Sequence, residues 1–156
     1  GKKLILAGHV DSQGAELEYF KKEVEPFIDG RQIEYIGEVD EHRKNVLLSE
    51  AQAFLFPISW EEPMALIVLE ALASGLPVIA FNRGAVSEIV KDGETGFVVR
   101  PSNLADLVEK LEILIQDKEL CEKFGEAARI RFENLFSIEK SNQRLLEVYE
   151  KALAAR

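Results

Sequence analysis

The sequence predicts a three-layer α/β domain, with a mostly parallel sheet of about five strands and helices on both faces. Short, β-rich apolar runs alternate with longer segments of helical periodicity, and this alternation is typical of βαβ units with right-handed crossovers. The chain has 156 residues, the size of one domain that can bury a substantial core. It is 47% hydrophobic and 30% charged, as is usual for a soluble globular protein.

The first half of the chain contains three predicted strands and two predicted helices. The strands cover residues 4–8, 33–37 and 53–58, and each is an apolar run bounded by turn-forming residues. A helix over residues 41–51 follows the second strand. Between the first two strands, apolar residues at three- and four-residue spacing predict another helix: Leu17, Phe20, Val24 and Phe27.

The second half begins with a helix whose first turn is predicted at Pro63, where the missing N–H of proline needs no partner. Gly75 is placed to end this helix, and strands follow at residues 77–81 and 96–99. These elements predict one Rossmann-like domain over residues 1–156. Three apolar stripes predict the closing helices: Leu104, Leu107, Val108, Leu111 and Leu114, then Leu120, Phe124 and Ala127, then Ile138, Leu145, Tyr149 and Ala152.

Composition excludes several classes of function. The net charge of −9 argues against a nucleic acid partner, whose binding depends on Lys and Arg. Cys121 is the only cysteine, so an internal disulfide is excluded and a reducing cytoplasm is favoured. His9 and His42 are too few for a zinc site. No apolar run approaches the roughly 20 residues of a membrane helix, and the apolar run near the N-terminus lacks a signal-peptide cleavage site.

The loop "SWEEPMA", residues 59–65, is the most unusual candidate for ligand binding. In parallel sheets, ligands bind beyond the carboxyl ends of the strands. Glu62 lies at that edge, and Glu70 follows about two predicted helical turns later. A sugar, a diphosphate and a ribose, linked in that order, would match these carboxylates and the predicted anion-binding N–H groups between them: those of Met64, Ala65 and Leu66.

A second interpretation needs no ligand. Acidic residues in the first turn of a helix stabilise its dipole by about 0.3–1 kcal/mol, which accounts for Glu61 and Glu62. It accounts less well for Glu70, whose neighbours make the helix apolar nearly all round. A carboxylate there needs a partner or a position at the rim of the core. The residues alone leave both interpretations open.

Residues 54–99, "FLFPISWEEPMALIVLEALASGLPVIAFNRGAVSEIVKDGETGFVV", resemble the nucleotide-binding motif of the retaining "group 1" glycosyltransferases. Their GT-B fold has two Rossmann-like domains. The motif has two glutamates separated by seven residues, here Glu62 and Glu70, set between "FLFP" and "GLPVIA". "LILAG", "IEYIGEV" and the closing helices fit the C-terminal donor domain of that family in order, so the resemblance covers nearly the whole chain.

The resemblance implies a role for each matching position. Glu62 is the catalytic position that contacts hydroxyls of the transferred sugar, and Glu70 binds the ribose. Val39 contacts the base, and the chain passes near the donor at Gly8. His9 follows it at a position that the family does not fix. The backbone near the sugar and diphosphate is supplied by Pro63, Met64, Ala65 and Leu66.

The chain departs from the family pattern in two respects. The family usually has glycine at the position of Ala65, and we expect helix geometry to tolerate the added methyl. The family's first strand–helix unit, with its Arg and Lys for the diphosphate, and its N-terminal acceptor domain have no counterpart here. We therefore expect a fragment that is inactive by itself. Arg83 is the nearest basic candidate, and we expect it to be a solvated loop residue.

The resemblance implies retaining transfer of a hexose from a UDP- or GDP-sugar to an acceptor hydroxyl, in carbohydrate biosynthesis, with no metal or cofactor. The acceptor would be bound by the absent N-terminal domain. We expect a cytoplasmic location, while membrane association of the whole enzyme and self-association of the fragment stay open. Two alternatives are a non-catalytic module that binds a nucleotide or a partner, and a sugar-nucleotide epimerase of similar fold. The sugar, base and acceptor are not determined.

Overall fold

The computed structural model describes residues 1–154, which contain five parallel strands and seven α-helices. Two compact units are present, residues 1–46 and the residues from 47 onward, and the boundary falls within α2 (Glu41–Glu50). The first unit pairs β1 (Leu4–Leu6) with β2 (Ile33–Tyr35), with Leu4 opposite Ile33.

The segment between β1 and β2 is not the single helix that its periodicity predicts. It begins as α1 (Ala15–Tyr19), widens into a π-helical segment (Phe20–Val24) and tightens into a 3₁₀ turn (Glu25–Phe27). Pro26 lies in that last turn, and its missing N–H and its ring prevent an α-helix from continuing through it.

The second unit contains β3 (Phe54–Phe56), β4 (Val78–Phe81) and β5 (Gly96–Val99), in the order β3-β4-β5. Within residues 1–154 the five strands are thus hydrogen-bonded as a two-stranded and a three-stranded sheet, rather than as one sheet of five. The α/β class and the parallel pairing are confirmed. The helices of this unit are α3 (Leu66–Ala73), α4 (Val86–Ile89), α5 (Leu104–Gln116), α6 (Lys118–Leu135) and α7 (Ile138–Ala154).

Alternation along β4 divides the core of the second unit into two clusters. Val78 and Ala80 pack with buried residues of α3 and α4, and with Ala128 of α6. Ile79 and Phe81, on the opposite face of the strand, pack with residues of α5 and α6. Because successive side chains of a strand point to opposite faces, a fully buried strand requires helices on both sides. This unit therefore has the predicted three layers.

Helix α3 begins three residues later than predicted, at Leu66 instead of Pro63. Ala65 is its N-cap and has left-handed dihedral angles, φ 45° and ψ 53°, so the segment before it cannot be helical. The C-terminus agrees with the prediction. Gly75 has a φ of 70°, and its N–H and that of Leu76 donate to the carbonyls of Leu72 and Ala71, which is the Schellman arrangement.

The closing helices have clear ends. Asn103 accepts a hydrogen bond from the Asp106 N–H at 3.3 Å, and Asp117 accepts one from the Leu120 N–H at 2.9 Å, so α5 and α6 each begin at a capping side chain.

Helix α7 has exposed apolar side chains, among them Ile138, Leu145 and Tyr149. Over residues 1–154 we find no helix whose length and apolar character suffice to span a membrane.

Candidate functional site

The carboxylate of Glu62 lies in the loop between β3 and α3, where two N–H groups donate to it. The indole Nε1 of Trp60 donates to Oε2 at 3.2 Å, and the backbone N–H of Met64 donates to Oε1 at 3.4 Å. The Trp60 indole N–H, with the backbone N–H groups of Met64 and Ala65, holds the pKa of Glu62 below its usual range. Glu62 is thus ionised and suited to accepting hydrogen bonds at neutral pH.

The neighbouring carboxylate, Glu61, has different partners. Its Oε2 accepts a hydrogen bond from the Gly84 N–H at 2.5 Å, and its Oε1 forms an ion pair with Nη1 of Arg83 at 2.7 Å. The Gly84 N–H, and next the Arg83 guanidinium, hold the pKa of Glu61 below its usual range. The expectation that Arg83 is a solvated loop residue is therefore wrong: its side chain is only 33% exposed, and it is bound to Glu61.

The loop after β4 also contacts the backbone of Glu62. The Ala85 N–H donates to the Glu62 carbonyl at 2.9 Å. Gly84 lies so close that a Cβ there would be 2.0 Å from the same oxygen, and its φ of 51° is also one that favours glycine. Two loops that follow neighbouring parallel strands thus form one packed edge around Glu62.

Ala65 differs from the expectation that helix geometry would accommodate it. It is 3% exposed and lies in the left-handed region, before the first residue of α3. That conformation costs an alanine roughly 1–2 kcal/mol relative to right-handed geometry, whereas glycine adopts it freely. The backbone of Ala65 is therefore strained at the N-terminus of the helix.

Two predictions about α3 change with its observed start. Glu70 is the fifth residue of the helix and lies little more than one turn from its N-terminus, rather than two; its side chain is partly buried. Of the predicted anion-binding N–H groups, that of Met64 donates to the Glu62 carboxylate. Pro63 and Met64 precede the helix, and Leu66 is its exposed first residue.

The remaining predicted residues lie in the first unit. Gly8, after β1, donates its N–H to the Gly37 carbonyl at 2.9 Å, and the Tyr35 hydroxyl donates to the Gly8 carbonyl at 2.8 Å. The predicted loops after β1 and β2 are thus adjacent at the carboxyl ends of their strands. Val39 is partly buried in the second of these loops.

His9 is exposed between two acidic side chains. Its Nε2 is 3.2 Å from Oδ1 of Asp11, and its Nδ1 is 3.8 Å from Oε2 of Glu38. It also lines an open cavity of about 380 Å³, together with residues that include Tyr19 of α1 and Phe20 of the π-helical segment. Within residues 1–154, no group of three or more His, Cys, Asp or Glu is placed to hold a metal ion.

The structure joins the Met64 N–H to the Glu62 carboxylate, and it adds partners that the sequence did not identify. These are Trp60 beside Glu62, and Arg83, Gly84 and Ala85 on the adjacent loop. The sequence offered one signal for the second group. "NRGA" directly follows a buried strand, and loops after neighbouring parallel strands meet at one edge of the sheet.

Comparison with known proteins assigns the chain to a family. The family model described as "Glycosyl transferases group 1" matches residues 2–131. Sulfoquinovosyl transferase SQD2 of Arabidopsis thaliana is 34% identical over 113 residues, which are 70% of this chain and 22% of that protein. Glycogen synthase of Mycobacterium tuberculosis is 28% identical over 149 residues, which are 96% of this chain and 35% of that protein. The chain thus spans about a fifth to a third of the length of these relatives.

Solved structures share the fold. Sucrose-phosphate synthase from Thermosynechococcus elongatus superimposes with a TM-score of 0.84 at 27% identity, over 99% of this chain and 39% of that one. Anabaena Alr3699/HepE, solved in complex with UDP and glucose, gives a TM-score of 0.83 at 19% identity, over 96% and 40% of the two chains. The family match, the α/β architecture and the loop that carries Glu62 agree, and the chain belongs to the group 1 glycosyl transferases.

Proposed function

We propose that this chain binds the donor substrate of a glycosyltransferase, a nucleoside diphosphate sugar. In the intact protein, a hexose would pass from this donor to an acceptor hydroxyl with retention of anomeric configuration. The observation that carries the proposal is the Glu62 carboxylate, held by two N–H donors in the loop that leads into α3. The solved Anabaena neighbour, whose structures include complexes with UDP and with UDP-glucose, supports the choice of donor class.

The chemistry of Glu62 limits its role. A carboxylate that N–H donors keep ionised accepts hydrogen bonds but does not supply a proton at neutral pH. It therefore suits the hydroxyl groups of a sugar, and its negative charge favours the positive character that the ring gains when the glycosidic bond breaks. We assign Glu62 as the residue that orients the sugar.

The start of α3 suits the departing diphosphate. The first N–H groups of a helix lack intrahelical partners and carry partial positive charge, and Leu66 and Ile67 are the first two residues of α3. These donors stabilise negative charge without a metal ion, so we propose that donor binding is independent of divalent metals. Glu70, one turn further along, would accept hydrogen bonds from the ribose hydroxyls.

Isothermal titration calorimetry on the chain tests the proposal, with UDP, UDP-glucose, GDP and GDP-mannose as ligands in the presence of EDTA. We expect saturable binding of one nucleotide and its sugar conjugate. Glu70→Ala should weaken binding of both by about tenfold or more, because a charge-assisted hydrogen bond is lost. Glu62→Gln should weaken binding of the sugar conjugate alone.

Glu126→Gln is the matched control, because it removes one exposed carboxylate from α6 and should leave every affinity unchanged. No binding of any of the four ligands, by the chain and by the intact protein that contains it, would reject the proposal. Equal and negligible effects of the Glu62 and Glu70 substitutions would reject the assigned roles while leaving donor binding in place.

A further inference from the structure

The loop that carries Glu62 is held by the loop after β4 through four contacts. The Glu61 carboxylate binds the Arg83 guanidinium and the Gly84 N–H. The Glu62 carbonyl accepts the Ala85 N–H, and Gly84 packs directly on the Glu62 backbone. Glu61 and Glu62 are adjacent, so the position of the Glu62 carboxylate depends on where these contacts place the chain.

Arg83 is more than an exposed member of a surface ion pair. Its side chain is two-thirds buried, with an exposed fraction of 33%, and its Nε is buried without a hydrogen-bond partner. A partly desolvated guanidinium is attracted to a carboxylate more strongly than one in water. Its Nη1 lies 2.7 Å from Oε1 of Glu61, whose side chain is 65% exposed, so the pair links the two loops from the partly buried Arg83 side.

The contacts of Glu62 show how the ion pair between Arg83 and Glu61 can affect the position of the Glu62 carboxylate. Its two carboxylate oxygens accept N–H groups from Trp60 and Met64, on either side of it in the chain. Both hydrogen bonds are local and depend on the path of residues 60–64. A shift of that path by a few tenths of an ångström misaligns donor and acceptor, and hydrogen bonds weaken steeply with poor alignment.

We propose that Arg83 is a positioning residue, which acts through its ion pair with Glu61 to fix the Glu62 carboxylate for the donor sugar. The proposal rests on the proposed function for the identity of the ligand. It assigns Arg83 no contact with the donor. A direct contact between Arg83 and the diphosphate is the competing assignment, and it makes a different prediction for UDP.

The first measurement needs no ligand. Trp60 is the only tryptophan of the chain, so ¹⁵N-labelled protein gives one indole N–H signal, and its shift reports the ionisation of Glu62. We expect Arg83→Gln to raise the midpoint of the titration of this signal, because the N–H donors of Glu62 lose their alignment. Arg83→Lys, which keeps the ion pair, should restore a midpoint close to that of the unmodified chain.

The Glu61→Ala variant distinguishes an effect of the position of Glu62 from an effect of nearby charge on the pKa of Glu62. The loss of a neighbouring negative charge would by itself lower the pKa of Glu62, because it removes repulsion of the carboxylate. The loss of positioning raises it. We expect the midpoint to rise in Glu61→Ala as in Arg83→Gln. A fall in Glu61→Ala, or no change in either variant, would overturn the proposal.

The second measurement compares ligands. Arg83→Gln should weaken binding of UDP-glucose, or of the conjugate that the chain binds, by about five- to tenfold, as expected for misaligned hydrogen bonds to one sugar. Binding of the free nucleotide should stay within about twofold of its original value. Lys118→Gln is the control, because it breaks an exposed ion pair with Glu122 on α6 and should change neither ligand's affinity.

The outcomes distinguish the two proposals. Equal weakening of UDP and UDP-glucose by Arg83→Gln would place Arg83 on the diphosphate and overturn the positioning role. If the unmodified chain and the intact protein bind neither ligand, the proposed function fails. The indole titration then still decides whether Arg83 fixes the Glu62 carboxylate.

Discussion

The indole N–H of Trp60 donates to Oε2 of Glu62 at 3.2 Å. Trp60 is 59% exposed, so a large apolar ring lies at the surface beside an ionised carboxylate. Sugars present apolar C–H faces and polar hydroxyl edges, and this pairing of ring and carboxylate offers a complementary surface to each. Trp60 thus has two effects: its N–H favours the ionised form of Glu62, and its ring forms the apolar surface beside that carboxylate.

Trp60→Phe should raise the pKa of Glu62 toward the ordinary value for a glutamate, about 4.3. Phenylalanine keeps one aromatic ring but lacks the indole N–H, and the hydrogen bond from that N–H is the largest cause of the lowered pKa. If Glu62 binds the donor sugar as proposed, it must be ionised to accept hydrogen bonds from the hydroxyl groups, and affinity for UDP-glucose should fall as pH drops through this pKa. In the variant the fall should begin at higher pH.

A ¹³C titration of the side-chain carboxyl groups measures this pKa, and calorimetry measures affinity over the same pH range. Asp29 serves as an internal reference, because backbone N–H groups of Ile33, Arg31 and Gln32 hold its pKa low in the other unit. An unchanged Glu62 midpoint in Trp60→Phe would contradict the role of the indole.

Ala65→Gly should leave stability within about 1 kcal/mol of the original chain. Glycine relieves roughly 1–2 kcal/mol of left-handed strain, and this gain offsets the greater entropy of its unfolded state and the loss of one buried methyl group. Ala71→Gly is the matched control, since Ala71 is fully buried in the middle of the same helix and has no such strain. It should cost about 1–2 kcal/mol.

Urea unfolding of the two variants tests this difference. A loss in Ala65→Gly as large as that in Ala71→Gly would show that residue 65 is not strained. Calorimetry adds a functional reading. We expect Ala65→Gly to bind UDP-glucose at least as tightly as the original chain, because glycine allows closer approach of the backbone to a ligand.

The features that followed from the sequence are those set by local pattern. Periodicity predicted the five strands and the closing helices, and Gly75 marked the end of α3 because a left-handed residue there is most often glycine. The same rules failed at Ala65. Alanine is the best helix former, so nothing local indicates that it stops a helix in a left-handed conformation.

The contacts of Arg83 could not be predicted for a different reason. They depend on the order of the strands, which places the loop after β4 beside the loop after β3, and no short motif specifies that order. A lone arginine in a polar loop is usually solvated. Gly84 lies against the Glu62 backbone, and the guanidinium of the preceding residue, Arg83, contacts Glu61. The role of Glu70 stays a prediction.

Asp29→Ala should destabilise the chain at neutral pH and much less in acid. The Asp29 carboxylate accepts the N–H groups of Arg31, Gln32 and Ile33 at 2.8, 2.7 and 3.0 Å, and these bonds hold its pKa below the usual range. Stability from a lowered carboxyl pKa is fully present above the ordinary value, about 3.9, and is lost as pH falls through the lowered value.

Thermal unfolding measured from neutral pH down to about pH 2 tests the sign. The difference between the original chain and Asp29→Ala should shrink as the pH falls below the ordinary aspartate pKa. Glu18→Gln, an exposed change on α1 of the same unit, should show no such trend. A difference that stays constant with pH would assign the effect of Asp29 to something other than its charge.

Gly84→Ala should destabilise the chain and disturb the surroundings of Trp60. Gly93→Ala should destabilise the chain only slightly and leave the surroundings of Trp60 unchanged. Both glycines have positive φ, 51° and 72°, so each substitution adds left-handed strain. A Cβ at Gly93 meets no atom within 4 Å, while one at Gly84 lies 2.0 Å from the Glu62 carbonyl oxygen. The Ala85 N–H holds that carbonyl, so the backbone has little room to yield.

Comparison of the two variants therefore separates the cost of a left-handed alanine from the cost of the contact with the Glu62 backbone. Urea unfolding should show a loss of about 1 kcal/mol for Gly93→Ala and about 1–3 kcal/mol more for Gly84→Ala, as for other overpacked sites. The fluorescence of Trp60 in the folded state should change only in Gly84→Ala, because the displaced chain carries the partner of the indole. Equal losses with unchanged fluorescence would mean that the loop after β4 does not fix the position of Glu62.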